Sequence, residues 1–238
     1  MMTKNKIIVA LDVDNREKAI SLVKELHGKV GAFKIGLELL NSCSIDLIKE
    51  IQEMGESIFF DAKFHDIPNT VSGAVSAVTR LGVWMMDVHC SGGLEMMRSA
   101  KEAAMKTAKT LNQQPPLVLG VTLLTSINQK SLNEELGISG TAESQVLRLA
   151  QLAKEAGLDG VVCSGQEIEI LKKEFPMDFK LVVPGIRSVW VFSKTDQKRV
   201  MTPKEAIMKG ADYLVIGRPI IQSESPKDAL EKILDEIS

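Results

Sequence analysis

Short apolar runs rich in β-branched residues alternate along this chain with longer segments in which apolar residues recur at helical spacing. The runs occupy 7–13, 32–37, 57–64, 84–90, 117–123, 160–164, 180–186 and 213–217. Most are unbroken apolar stretches rather than strict alternations, as expected of strands buried on both faces of a parallel sheet. A strand followed by a helix, repeated without interruption, predicts an α/β fold. Eight such units favour a closed (β/α)8 TIM barrel over an open doubly wound sheet.

Local signals mark the helix ends. Thr202-Pro203-Lys204-Glu205 supplies a cap, a proline at the first helical position and a capping-box glutamate, and Gly210 ends that helix. Ser225-Pro226 opens the last helix, whose Leu230, Ile233, Leu234 and Ile237 fall on one face. Asp14, with Glu17 three residues on, is expected to start the first helix and Gly28 to stop it. An internal echo runs through "TRLGVWMMDVH", "EAGLDGVVCS" and "MKGADYLVIG", each a helix end, a glycine and then a strand. No linker or low-complexity tract divides the chain, so 1–238 is expected to be a single barrel domain.

The chain's 238 residues suit one barrel, which typically takes about 250. With 45% hydrophobic and 25% charged residues it has the material for a large core and a soluble surface. A net charge of −2 argues against a nucleic-acid partner. No apolar run approaches the roughly 18 residues that span a membrane, and acidic residues arrive too early for a signal peptide. Cys43, Cys90 and Cys163 are odd in number and scattered, which predicts neither a disulfide frame nor a zinc site. A cytoplasmic location follows from these features.

In a barrel of this kind the active site lies at the C-terminal ends of the strands. Polar residues found there are Asp12, Lys34, Asp61 and Lys63, with Asp66 just beyond. Asp61 and Lys63 are two apart on a strand and so share a side, with Phe59 beneath them. Lys34 and Asp66 are the neighbours able to compensate them, giving an alternating Lys–Asp–Lys–Asp array. The competing reading is an ion-pair network that merely closes the top of the barrel. A second cluster, Arg187 after the seventh strand and Gly217-Arg218 after the eighth, falls where such barrels hold phosphate, with Gln197 on the intervening loop. His27 reads as a surface residue, His65 as a loop contact and His89 as a cavity-wall group; no pair of histidines has metal-ligand spacing. Met85, Met86, Met96 and Met97 read as core.

The run "FFDAKFHDIPNT" at 59–70 resembles the signature of the orotidine 5′-phosphate decarboxylase family. "VALD", "KIG", "GVTLLTS", "VPGIR", "DQKRVMTP" and "YLVIGRPI" follow in the family's order, so the resemblance covers essentially the whole chain. It implies decarboxylation of orotidine 5′-phosphate to UMP, with no metal or organic cofactor. By position, Lys63 would protonate C6, Asp61 would face the departing carboxylate and Lys34 would hold Asp61 and a ribose hydroxyl. Asp12 would bind the ribose, Thr125 would line the base pocket, and Arg187, Gln197, Gly217 and Arg218 would hold the phosphate. Asp66 and Thr70 would reach the neighbouring subunit's site, making the enzyme a homodimer.

Two features depart from the pattern. "FDAK" has alanine where leucine is commoner, on the outward face. The segment between Arg187 and Gln197 carries Val189, Trp190, Val191 and Phe192 where relatives are polar and glycine-rich. Arg187 and Gln197 flank it, so ligand binding is expected to close it and bury Trp190 and Phe192. A metal-assisted enzyme acting on a hexulose or gulonate phosphate, and a non-catalytic nucleotide-binding protein, are the alternatives.

Overall fold

A computed structural model describes residues 3–188 and 201–238. A short turn at Thr3–Lys6 leads into β1 (Ile7–Ala10), α1 (Arg16–Leu26), β2 (Ala32–Gly36), α2 (Leu37–Ser42) and α3 (Asp46–Glu53). Then come β3 (Ile58–Phe64), α4 (Pro68–Arg80), β4 (Met85–His89), α5 (Gly93–Thr110), β5 (Leu117–Val121) and α6 (Ala142–Glu155). The chain continues through β6 (Gly160–Val162), α7 (Ile168–Glu174), β7 (Lys180–Val183), α8 (Pro203–Lys209), β8 (Tyr213–Ile216), α9 (Arg218–Ile221) and α10 (Pro226–Glu236). The strands pair in parallel, each with the next, and β8 closes on β1. The molecule is a (β/α)8 barrel.

Each strand starts within one residue of its predicted start, but all except β3 end one to three residues short of the predicted end. The apolar runs outlast the hydrogen-bonded ladder. Leu11 and Ile186 stay buried after their strands have finished, in the loops that build the top of the barrel.

Alternation within the strands divides two apolar layers. Ile7, Val9 and Leu11 face the helices, while Ile8 and Ala10 point into the barrel beside Ala32, Phe59, Met85, Leu119 and Val182. Burial on both faces explains why these strands read as continuous apolar runs. Met86, Met96 and Met97 pack in the helix-facing layer and Met85 in the interior, all core positions. Ala62 packs against the helix-facing layer, so its missing leucine atoms do not touch the interior.

The caps at α8 and α10 form as the sequence indicates: Thr202 and Glu205 make a reciprocal capping box, Gly210 takes the left-handed conformation, and Ser225 accepts from the Asp228 N–H. At α1 the cap is Asn15 rather than Asp14. The Asn15 side chain accepts the Lys18 N–H at 2.9 Å. The Asp14 carboxylate is taken instead by the Lys18 ammonium and the Asn15 amide.

The internal echo has a mechanical cause. Asp159, just before β6, accepts the Val118 N–H at the start of β5 at 2.7 Å and the Lys101 ammonium from α5 at 2.6 Å. Asp212, just before β8, does the same for the Leu181 N–H of β7 at 2.9 Å and Lys172 of α7 at 2.7 Å. In the third copy Trp84 replaces the aspartate and packs edge-on against Tyr213 at the barrel's base. These carboxylates pin strand starts that the ladder leaves unpaired. Asp212→Ala should therefore lower stability by about 1–3 kcal/mol, the cost of an unsatisfied buried N–H. Asp212→Asn, which keeps the acceptor, should lose less, and urea unfolding of the two variants checks the ranking.

Candidate active site

Interior parity carries each early strand up to a polar residue: Asp12 above Ala10, Lys34 above Ala32, Asp61 above Phe59 and Asp87 above Met85. Lys34 is 92% buried; its Nζ lies 3.1 Å from Asp12 Oδ1 and 3.0 Å from Asp61 Oδ2. The second Asp61 oxygen accepts from the Lys63 ammonium. Asp61 is thus a buried carboxylate clamped between two cations. Burial works to raise its pKa, but the Lys34 ammonium, a hydrogen bond from Asp87 and the Lys63 ammonium hold it below the ordinary carboxylate value. Burial works to lower the Lys34 pKa, and the charges on Asp61 and Asp12 hold it above the ordinary lysine value.

Two backbone features make room for this arrangement. A Cβ on Gly36, the last residue of β2, would lie 2.6 Å from Lys34 Nζ, so the bare backbone there lets the ammonium fold back between its carboxylates. Lys63 reaches the site through a bulge rather than the regular pleat: the β3–β4 register shifts between Phe60 and Phe64. Lys63 itself has φ 49°, a left-handed conformation that costs a residue with a side chain roughly 1–2 kcal/mol. Its backbone N–H donates to Asp87 Oδ1 at 2.7 Å.

The array walls one side of a cavity of about 220 Å³. Phe59, Val121, Leu123, Val162 and Val215 supply apolar lining, and Thr125 joins it at the exposed rim. A charged wall over an apolar floor strengthens electrostatic effects on whatever binds there.

The remaining sequence-derived residues either do not line this cavity or lie outside the described residues. Gly217 sits against Asp12, since a Cβ there would lie 3.2 Å from Asp12 Oδ2, and Arg218 is exposed at the start of α9. The Arg187 N–H donates to the Met201 carbonyl at 3.1 Å, beside an Ile186–Met201 bridge that joins the end of β7 to the start of α8. Gln197 and the apolar residues Val189, Trp190, Val191 and Phe192 lie outside the described residues. Asp66 and Thr70 are exposed, and neither lines the cavity. The Asp66 carboxylate accepts the Ile67 N–H at 2.6 Å. Within one chain, the charge array therefore runs Asp12–Lys34–Asp61–Lys63, with Asp12 at the outer end.

Asp87 is the site residue that sequence reasoning passed over. Its signal was a lone carboxylate of interior parity inside the apolar run "WMMDVH". His89, two residues on, stacks on His65 at 5.3 Å; burial, with His65 and Lys63 nearby, keeps its pKa low. His27 is exposed, as expected of a surface residue, and also meets Glu56 at 2.6 Å. Among the described residues no three His, Cys, Asp or Glu side chains cluster as a metal site, and no helix is long and apolar enough to cross a membrane.

The fold and site define a barrel enzyme built around a buried lysine–carboxylate array. A family model described as orotidine 5′-phosphate decarboxylase / HUMPS family matches residues 5–233, and this chain belongs to that family. It is 48% identical over 238 residues to an orotidine 5′-phosphate decarboxylase from Syntrophomonas wolfei, covering 100% of this chain and 99% of that protein. A relative of the same name from Idiomarina loihiensis is 50% identical over 237 residues, covering 99% of each chain. The crystal structure of orotidine 5′-phosphate decarboxylase from Lactobacillus acidophilus superposes with a TM-score of 0.86 at 38% identity, covering 98% of both chains.

The depressed Asp61 pKa has a consequence for stability. A carboxyl whose folded pKa is lowered stabilises the fold above its unfolded value, and that contribution is lost as pH falls through the folded value. Asp61→Asn should be less stable than the unsubstituted protein at pH 7, and the gap should narrow below about pH 4, near the unfolded carboxyl pKa. Urea midpoints across that range check it.

Proposed function

We propose that this chain decarboxylates orotidine 5′-phosphate to UMP in the cytoplasm, as a single barrel domain over 1–238, with no metal or organic cofactor. The observation that carries this reading is the Lys34–Asp61–Lys63 array on one wall of the cavity, in a chain 48% identical end to end to proteins of that named activity.

In this reading the bond from C6 of the base to the carboxylate breaks and carbon dioxide leaves. The electron pair stays on C6 and takes up a proton from the Lys63 ammonium. Asp61 faces the departing carboxylate, and Lys34 holds Asp61. An ammonium already fixed beside the developing charge stabilises the transition state more than the ground state, with little reorganisation. Lys34 and Asp12 hold the ribose, Thr125 lines the base pocket, and Arg187, Gln197, Gly217 and Arg218 hold the phosphate. The family description also spans HUMPS enzymes; turnover that survives EDTA separates the proposed reaction from a metal-assisted one.

The reading includes a homodimer in which Asp66 and Thr70 complete the neighbouring site. Asp66 stands outside its own chain's cavity. Leu37, Ile67 and Leu124, each after the C-terminal end of a strand, are 55%, 66% and 38% exposed, leaving apolar surface around the mouth for a second copy.

Lys63→Ala should lower kcat by more than about 10⁴-fold while UMP still binds, since a positioned acid alone contributes about 10²–10⁴-fold. A loss near tenfold would remove Lys63 from the proton-donor role. Lys63→Ala and Asp66→Asn homodimers should each be nearly inactive, and mixing them under subunit exchange should restore activity through the site that combines intact Lys63 with intact Asp66. If heterodimers form and stay inactive, Asp66 serves its own chain.

A further inference from the structure

The bulge that delivers Lys63 is secured by one side chain. Phe59 and Phe60 pair with Met85 and Met86, and pairing resumes only at Phe64 opposite Val88, so β3 spends four steps where β4 spends two. The Lys63 N–H, displaced from the ladder, finds its acceptor in Asp87 Oδ1 at 2.7 Å. Asp87 is 1% exposed, and it lines the same cavity as Asp61. Two neighbouring carboxyl groups in a buried site do not both ionise without cost, so one of them favours its protonated form. Asp61 faces the Lys34 and Lys63 ammoniums, which favour its ionised form.

The surroundings of Asp87 are poorer in positive charge. From β3 it faces Asp61 and Lys63. The adjoining β5 contributes Leu119 and Val121, which carry no charge. On its own strand His89 lies two residues toward the rim, and Lys34 and Cys163 line the same cavity. Burial first, and then the Asp61 charge, push the Asp87 carboxyl well above the ordinary carboxylate range.

We propose that Asp87 is a positioning residue acting as a neutral carboxylic acid: one oxygen accepts the Lys63 N–H, and its hydroxyl donates to Asp61. One group thereby fixes both the strained backbone of the lysine and the orientation of the carboxylate beside it. A buried acid kept neutral so that it can donate a hydrogen bond is an established device in enzyme sites. The proposal rests on the reading of Lys63 as the proton donor, and its test has one arm independent of turnover.

Asparagine reproduces both hydrogen bonds of a neutral Asp87 and none of the charge of an ionised one. Asp87→Ala should lower kcat for orotidine 5′-phosphate by about 10- to 100-fold, the effect of leaving a buried N–H unpaired, with a smaller change in KM. Asp87→Asn should restore kcat to within about fivefold of the unsubstituted enzyme. It should also lack the alkaline fall in kcat that ionisation of Asp87 imposes. Asp87→Asn as impaired as Asp87→Ala would overturn the proposal in favour of a required negative charge, and Asp87→Ala at full kcat would overturn it outright. If Asp87→Ala does not fold, the asparagine variant decides alone.

The independent arm is stability. A carboxyl whose pKa is raised on folding binds its proton in the folded state while the unfolded chain has released it. It therefore makes the fold progressively less stable as pH rises from about 4 toward the folded value. Asp87→Asn should gain stability relative to the unsubstituted protein over that span, read from urea midpoints. A difference that stays flat with pH would mean that folded Asp87 is ionised. If the protein does not decarboxylate the substrate, this arm still decides the protonation state, so failure of the functional reading and failure of the Asp87 proposal are told apart.

Discussion

Asp61 holds a negative charge between two ammonium groups in a place from which water is largely excluded. A carboxylate there without those cations would carry a desolvation cost of several kcal/mol, and the buried Lys34 without it would keep Asp12 alone as its counter-charge. The carboxylate is therefore tolerable only because of the two ammoniums. The local design follows from that constraint. Gly36 omits a side chain so that Lys34 can fold back. β3 leaves its ladder so that Lys63 can approach from the other side. Asp12 occupies the remaining face of Lys34.

The barrel supplies the rigidity that such an array needs. Its strands are buried on both faces, and their starts are anchored at the base by Asp159 and Asp212, which join strand N–H groups to lysines of the outer helices. Trp84 fills the base against Tyr213. With the lower end pinned, the upper ends of the strands are free to depart from regular geometry, and the bulge, the positive φ and the early strand endings all occur there. Strain collects at the end that carries the chemistry because the other end is held.

The apolar side of the cavity matters as much as its charges. Phe59 and Val215 belong to the interior core and also line the site, so the core of the barrel is continuous with the floor of the pocket. A base seated on that floor would bring its reacting carbon to the charged wall with little intervening water, where a fixed ammonium acts most strongly.

The chain's periodicity was enough to place all eight strands, because burial on two faces leaves an apolar run that can be read locally. Their place at the ends of apolar runs took Lys34, Asp61 and Lys63 to the barrel mouth. Lys63, however, arrives there through a bulge and not by the two-residue parity that the sequence suggests. Local chemistry also located the caps at Thr202 and Ser225, and missed at Asp14 by one residue because two adjacent side chains can each cap and only their neighbours choose between them. Tertiary structure alone decided which charges meet. The Lys63 bulge depends on register with β4, and its partner Asp87 lies 24 residues away. Asp12 rather than Asp66 completes the array within one chain because β1 pairs directly with β2. Hydrophobic period is a property of neighbours in sequence, whereas a hydrogen bond between strands and the balance of buried charge are properties of neighbours in space.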